Sequence, residues 1–224
     1  QTLKCIKARK YSYSWSPALS YLQLETHDFN PKHNFDYDID SYLPDGFRGG
    51  HRYHVPRGWY RHALDISKKY PGDDVWLRST DEPGVWPVAY YGTQSEAAIY
   101  SIVNNGFSNE IDPGKEDYFR AESVRQGGEK FDRPGLYLYT NCKYGAHPRF
   151  TKTFSVGTSS KQIKRFRIVF QCRVQPDKFT IHECPVTRQY IWRVVDPTVV
   201  RPYGILLLKR TIPKREGNQS ESDY

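Results

Sequence analysis

Val88-Ala89-Tyr90-Tyr91-Gly92-Thr93 runs without a break into Gln94-Ser95-Glu96-Ala97-Ala98-Ile99. The first half is apolar and aromatic, which suits a pleated strand, and it stops at a glycine. The second half opens a helix. Thr93 and Glu96 stand in the Thr-x-x-Glu spacing of a capping box, in which each side chain satisfies one backbone N–H left without a partner at the helix start. Ala98, Ile99, Ile102 and Val103 then give a helical apolar stripe, and Gly106 follows as the C′ residue that ends it. A strand that turns directly into a capped helix leaves a glycine backbone and one aromatic side chain at the rim of a sheet. A flat ligand can dock there.

Outward from this junction the pattern is mostly strand. Tyr60, His62, Leu64 and Ile66 alternate with Arg61, Ala63 and Asp65, which predicts a strand with its apolar side on the even positions. Val75-Trp76-Leu77 is a short apolar run after the turn at Pro71-Gly72-Asp73-Asp74, and Val85 to Tyr90 reads as a strand with Pro87 near its start. In the run 165–174, Phe166, Ile168, Phe170, Cys172 and Val174 point to the core while Arg165, Arg167 and Arg173 point outward. Tyr190 to Val195 and Tyr203 to Lys209 predict two more strands. Between Gly106 and Gly135 lies a polar connection of about 25 residues, longer than ordinary loops, of the kind that covers a site or stays disordered.

Residues 1 to 55 are Tyr-rich and broken by Pro17, Pro31 and Pro44, which predicts an extended arm wrapped on the core. Within the arm, Phe35-Asp36-Tyr37-Asp38-Ile39-Asp40 is either a solvated loop or a segment packed on a basic surface. Residues 56–212 are expected to form one domain, and 213–224 a polar, flexible tail. Many strands and one strong helix point to an α+β fold, with a mostly antiparallel, partly split sheet as its core and few helices.

The formal charge of +8 favours acidic partners: nucleic acid, the phosphates of a cofactor, or acidic protein surfaces. No stretch approaches the roughly 18 apolar residues of a spanning helix, and no apolar leader is visible, so a soluble, intracellular protein without membrane contact is expected. The chain contains no methionine, even at position 1, so a piece excised from a longer protein, or a processed chain, is expected. Cys5, Cys142, Cys172 and Cys184 are widely spaced, and His182-Glu183-Cys184 lacks a second ligand pair nearby, so no metal site is expected.

Three segments in order, Tyr90-Tyr91-Gly92-Thr93, Gly135-Leu136-Tyr137 and Gln189-Tyr190-Ile191-Trp192, resemble the signature of the ADP-ribosyltransferase superfamily. The closer likeness is to the branch of diphtheria toxin and the poly(ADP-ribose) polymerases, which carries Tyr-His-Gly-Thr, then Gly-aromatic-Tyr, then Glu-Tyr-Ile. The likeness covers residues 88–208. Gly58-Trp59-Tyr60-Arg61 and Val200-Arg201-Pro202-Tyr203-Gly204-Ile205-Leu206 also resemble an uncharacterised eukaryotic family of the same type. The resemblance implies an ADP-ribosyltransferase-like split sheet and NAD as substrate. It implies that the Gly92 backbone holds the nicotinamide carboxamide, which needs approach without a side chain in the way. Tyr137 is then the stacking partner of the nicotinamide ring, Tyr144 a second aromatic wall, and Thr93 a positioning group for ribose or carboxamide. Without the resemblance, Tyr137 and Tyr144 read as ordinary core tyrosines.

Two signature positions depart from that family. Tyr91 stands where those enzymes have a histidine on the adenosine ribose; its hydroxyl can donate and accept, but from a longer arm. Gln189 stands at the glutamate that stabilises the cation formed as nicotinamide leaves. Glutamine keeps the shape and loses the charge, and such a contact is worth roughly 3–4 kcal/mol, or about 10²–10³-fold in rate. Two readings follow. One is an NAD-dependent mono-ADP-ribosyltransferase with a protein or nucleic-acid acceptor, either active as it stands or silenced at Gln189, whether that residue is native or an engineered Glu→Gln change. The other is a pseudoenzyme that uses the fold to bind a protein, a nucleic acid or an ADP-ribose-like ligand, with the arginine row as a docking face. A nucleic-acid-binding protein unrelated to NAD is a third.

Overall fold

The computed structural model describes residues 16–37, 42–108, 135–158 and 162–210. Its helices are α1 (Ser16–Tyr21), α2 (Glu96–Asn105) and α3 (Cys142–Gly145). In chain order the strands are β1 (Phe35–Tyr37), β2 (Gly46–Arg48), β3 (His51–Tyr53), β4 (Trp59–Ala63), β5 (Val88–Gly92) and β6 (Leu136–Tyr139). They continue as β7 (Thr153–Thr158), β8 (Gln162–Val174), β9 (Thr180–Glu183), β10 (Tyr190–Val194) and β11 (Val200–Arg210). Nine strands make one sheet in the order β1-β4-β11-β8-β5-β6-β10-β9, with β7 paired to β8. Every described pairing is antiparallel. The fold is therefore α+β, with a mostly antiparallel sheet as its core and few helices.

Strand β8 organises the sheet. One edge pairs with β11 along Arg165 to Val174. The other edge is shared: β7 takes Gln162 to Arg167, and β5 takes Val169 to Arg173. Beyond β5 the ladder thins, because β5 and β6 meet in register at Tyr90↔Tyr139 alone. The β2–β3 hairpin stands apart from the sheet. Its two-residue loop, Gly49-Gly50, has φ of +57° and +78°, the positive values that a tight hairpin turn demands and that glycine adopts without strain.

The sheet has two covered faces. On the first, α2 buries Ala98, Ile99, Ile102 and Val103 against Phe166, Ile168, Phe170 and Cys172 of β8, with Leu22 and Leu24 after α1. Ile99 and Ile102 are fully buried, and each such side chain contributes roughly 1.5–3 kcal/mol. The second face carries Tyr37, Tyr53, Trp59, Tyr90, Val169 and Leu206, continued by Tyr137, Tyr139, Phe150 and Ile191.

Burial on both faces overturns one reading of β8. Its even positions do face the core, but Arg173 is 3 % exposed rather than turned to solvent. It is tolerated because its guanidinium donates to the carbonyls of Trp86, Leu77 and Arg78, and a buried charge needs such partners. Arg165 is exposed, whereas Arg167 is half-buried and donates to the Ala146 carbonyl and the Thr153 hydroxyl. The three arginines do not make one open row.

Smaller departures follow the same logic. Val75-Trp76-Leu77 is a 3-10 turn, and its tryptophan is buried as one of three rings, with Tyr70 and Trp86, against the Arg201 guanidinium at 4.4–4.9 Å. In β4 the odd positions Trp59 and Ala63 are as buried as His62. Residues 16–37, within the expected arm, supply α1, two 3-10 turns and the edge strand β1, which pairs with β4. Most of the long connection after α2, and the tail 213–224, lie outside the described residues.

Candidate functional site

Gly92 closes β5, opposite Val169 of β8. A Cβ added there would come 2.1 Å from the Thr151 hydroxyl oxygen and 2.2 Å from the Gly145 carbonyl oxygen. Real side chains do not approach that closely, so the position requires glycine. What requires it is this chain's own segment 145–152, laid across the junction. That segment is tied down by several hydrogen bonds. Thr151 donates its hydroxyl to the Gly145 carbonyl at 2.8 Å, and Gln94 Nε2 donates to the Arg149 carbonyl at 2.7 Å. Lys152 N donates to the Thr93 carbonyl at 3.4 Å.

Thr93 is buried, and its hydroxyl oxygen accepts from Ser95 N at 3.1 Å. The helix cap is Ser95, not Thr93: the Ser95 hydroxyl oxygen accepts from Ala98 N at 3.1 Å. The expected Thr93/Glu96 box is therefore replaced by a cap two residues later. Glu96 becomes the first helical residue and reaches outward, accepting from the Tyr21 hydroxyl and from Lys152 Nζ. Gly106 ends the helix at φ +81°, as its position in the sequence predicts.

Neighbouring strand residues point to opposite faces, and that parity separates the two halves of the motif. Tyr91 is on the first face, 1 % exposed, edge-on to Phe107 at 5.0 Å in the core beneath α2. Gly92 and Tyr137 are on the second. Tyr137 is buried with Tyr139, Phe150, Cys184 and Ile191, and Tyr144 of α3 packs partly exposed against the same group. Phe150 lies 5.4 Å from Tyr139, centroid to centroid. So the structure gathers Gly92, Tyr137 and Tyr144 around segment 145–151, and puts Tyr91 behind the sheet.

Gln189 is farther off. It precedes β10, is exposed, and its backbone carbonyl accepts from Cys184 N at 2.7 Å. In the β6–β10 ladder Arg193 stands opposite Tyr137, and Ile191 opposite Tyr139. Gln189 lies outside this ladder, in the bend before β10, four residues in sequence from Arg193, the partner of Tyr137. The β10 residue packed among the tyrosines is the fully buried Ile191.

The charge around segment 145–151 is positive. His147 stacks obliquely on Phe150 at 5.6 Å. Burial, with the nearby Arg149 and Arg167 charges, lowers its pKa. Sequence reasoning missed Phe150 and Thr151, which occupy the space at Gly92; their signal is the Pro148 stop just after the short helix α3. Cys184 is buried with its sulfur 3.0 Å from the Tyr139 hydroxyl, and His182 pairs with Thr180. Among the described residues no three His, Cys, Asp or Glu side chains gather to hold a metal. No described helix is long and apolar enough to cross a membrane.

No protein-family model matches the chain. No curated protein matches it significantly.

Proposed function

We propose that this chain is an ADP-ribosyltransferase-type module that binds an ADP-ribose-like ligand or a macromolecular partner without splitting NAD. The observation that carries this reading is the occupied space at Gly92. The close approach that a glycine permits is used by Thr151 and Gly145, where the transferase reading wants the nicotinamide carboxamide. Two further features support it. Gln189 offers no negative charge to a developing cation. Tyr91 is committed to packing against Phe107.

The transferase reading keeps one favourable observation: Gly92, Tyr137 and Tyr144 do share a face and a neighbourhood. On that reading Gln189 silences a mono-ADP-ribosyltransferase whose acceptor is a protein or a nucleic acid. A paired assay separates the two. Nicotinamide release from NAD is measured for the chain and for Gln189→Glu, together with ADP-ribose binding by calorimetry. The binding-module reading expects no release from either protein and saturable ADP-ribose binding by both. Release from Gln189→Glu alone replaces it with the silenced transferase. Absence of both release and binding removes the connection to NAD.

A further inference from the structure

At the other end of β5, on the same face as Gly92, the sheet carries a cavity of about 400 Å³ lined by Arg48, Arg61, Arg173, Tyr37, Tyr53 and Tyr203. Its chemistry is one-sided. Arg61 and Arg173 flank the Tyr203 ring, their guanidinium carbons 5.6 and 5.4 Å from its centroid. Arg48 lies 5.0 Å over Tyr53. Burial lowers the Arg173 pKa; Tyr203 acts against that, and the Arg48 and Arg61 charges lower it further.

The arginines are held in place by oxygen atoms that carry no formal charge. Arg61 donates to the Tyr37 hydroxyl, the Gln171 amide oxygen and the His33 carbonyl. Arg48 donates to the Phe47 carbonyl, and Arg173 to three carbonyls. Among the described residues none of the three forms an ion pair with a carboxylate; Asp74 lines the cavity but is exposed. Among the described residues, Arg61 Nε and Arg173 Nε, both buried, have no hydrogen-bond partner. Burial also pushes the Tyr203 hydroxyl up to about 12 and that of Tyr53 higher, so both stay protonated and able to donate at neutral pH. Three cations and several O–H donors converge on a hollow with one carboxylate at its edge.

Clustered guanidinium groups repel one another and lose hydration when buried, so this arrangement costs stability unless an anion completes it. We propose that the cavity is a binding site for a small phosphorylated ligand. Phosphate matches the fork of a guanidinium through paired N–H···O contacts and offers more acceptors than a carboxylate. The volume exceeds that of a bare phosphate and falls in the range of small-molecule sites, with tyrosine rings to take the non-phosphate part. The sequence provides for it in Gly204. A Cβ there would come 2.7–2.8 Å from the Arg61 stem, so the glycine after Tyr203 makes room for Arg61 to cross β11. The proposal is independent of the NAD reading, since this site shares none of the residues at Gly92.

Calorimetric titration of the chain with inorganic pyrophosphate at low salt tests it, with inorganic phosphate and acetate for comparison. One saturable site for pyrophosphate is expected, with weaker binding of phosphate and none of acetate. Arg48→Gln, which removes a half-exposed arginine, is expected to weaken binding about tenfold or more. Tyr53→Phe, which deletes only a hydroxyl, is expected to weaken it less. Arg165→Gln, at an exposed arginine outside the cavity, should leave it unchanged. The proposal fails if pyrophosphate shows no saturable binding up to ~10 mM, if acetate competes equally, or if Arg165→Gln lowers affinity as much as Arg48→Gln. ADP-ribose binding that survives Arg48→Gln unchanged belongs to the Gly92 region and leaves the pyrophosphate result to decide this site.

Discussion

His62 shows how far one side chain can couple the fold to pH. It is 7 % exposed on β4, with the Tyr60 ring 4.7 Å away and Phe29 at 6.2 Å. Burial lowers its pKa from the ordinary 6.5 to about 4. Between those values the unfolded chain binds a proton that the folded chain refuses, so stability rises with pH across the window and is complete above it. The loss on going from pH 7 to about 4 is of order 3 kcal/mol. His147 adds to the same window, with less weight because it is half-buried. Asp45, Asp65, Glu96 and Asp196 have lowered carboxyl values, so what they contribute disappears mainly below that window. Urea unfolding at pH 7 and pH 4.5 should show the drop, and His62→Gln should flatten it. An unchanged drop in His62→Gln would assign the effect elsewhere. The sequence marks His62 only as one position of an alternating strand. Its depth depends in part on Phe29, packed edge-on from far away in the chain.

Helix α2 illustrates which features of an element are local. Its span and its stop at Gly106 are legible because the stripe Ala98, Ile99, Ile102, Val103 and a φ-positive terminator are written consecutively. Its start is not, because Thr93 and Ser95 are both good caps and only the backbone path after Gly92 chooses between them. Segment 145–152 holds that path, so the decision is tertiary. Ser95 is extended at φ −97° and ψ 123°, which puts its hydroxyl at the Ala98 N–H. Ser95→Ala is therefore expected to cost about 1 kcal/mol, read as a lower urea midpoint with an unchanged slope. An unmoved midpoint would return the cap to Thr93. The inward series on β8 was equally readable. The depth of Arg173 was not, since it depends on carbonyls of Leu77, Arg78 and Trp86 that the chain brings from nearly a hundred residues away.

At the scale of the whole molecule, the sheet is one wall shared by two cores, and this sets how the protein comes apart. The order β1-β4-β11-β8-β5-β6-β10-β9 interleaves early and late strands, so no stretch of chain owns either face. Strand count and alternation in the sequence imply a sheet, but the pairings of β1 with β4 and of β11 with β8 join segments that no local pattern relates. The candidate site divides in the same way. Gly92 and Tyr137 were readable as partners, whereas Thr151 filling the space beside Gly92, and three arginines converging from β2, β4 and β8, emerge only once the strands are assembled. Neither core can open without exposing the other side of β5 and β8. Tryptophans report on both: Trp192 belongs to the first face, Trp59 to the second, and Trp76 and Trp86 to the Arg201 cluster at the start of β11. Unfolding in urea should therefore give coincident transitions by tryptophan fluorescence and by far-ultraviolet circular dichroism, with one midpoint. A fluorescence change that precedes loss of the sheet signal would mean that one face melts alone. In that case the arginine cavity and the Gly92 region, both on the second face, would be parts of a separately stable layer, and a ligand at either would protect that layer and not the whole fold.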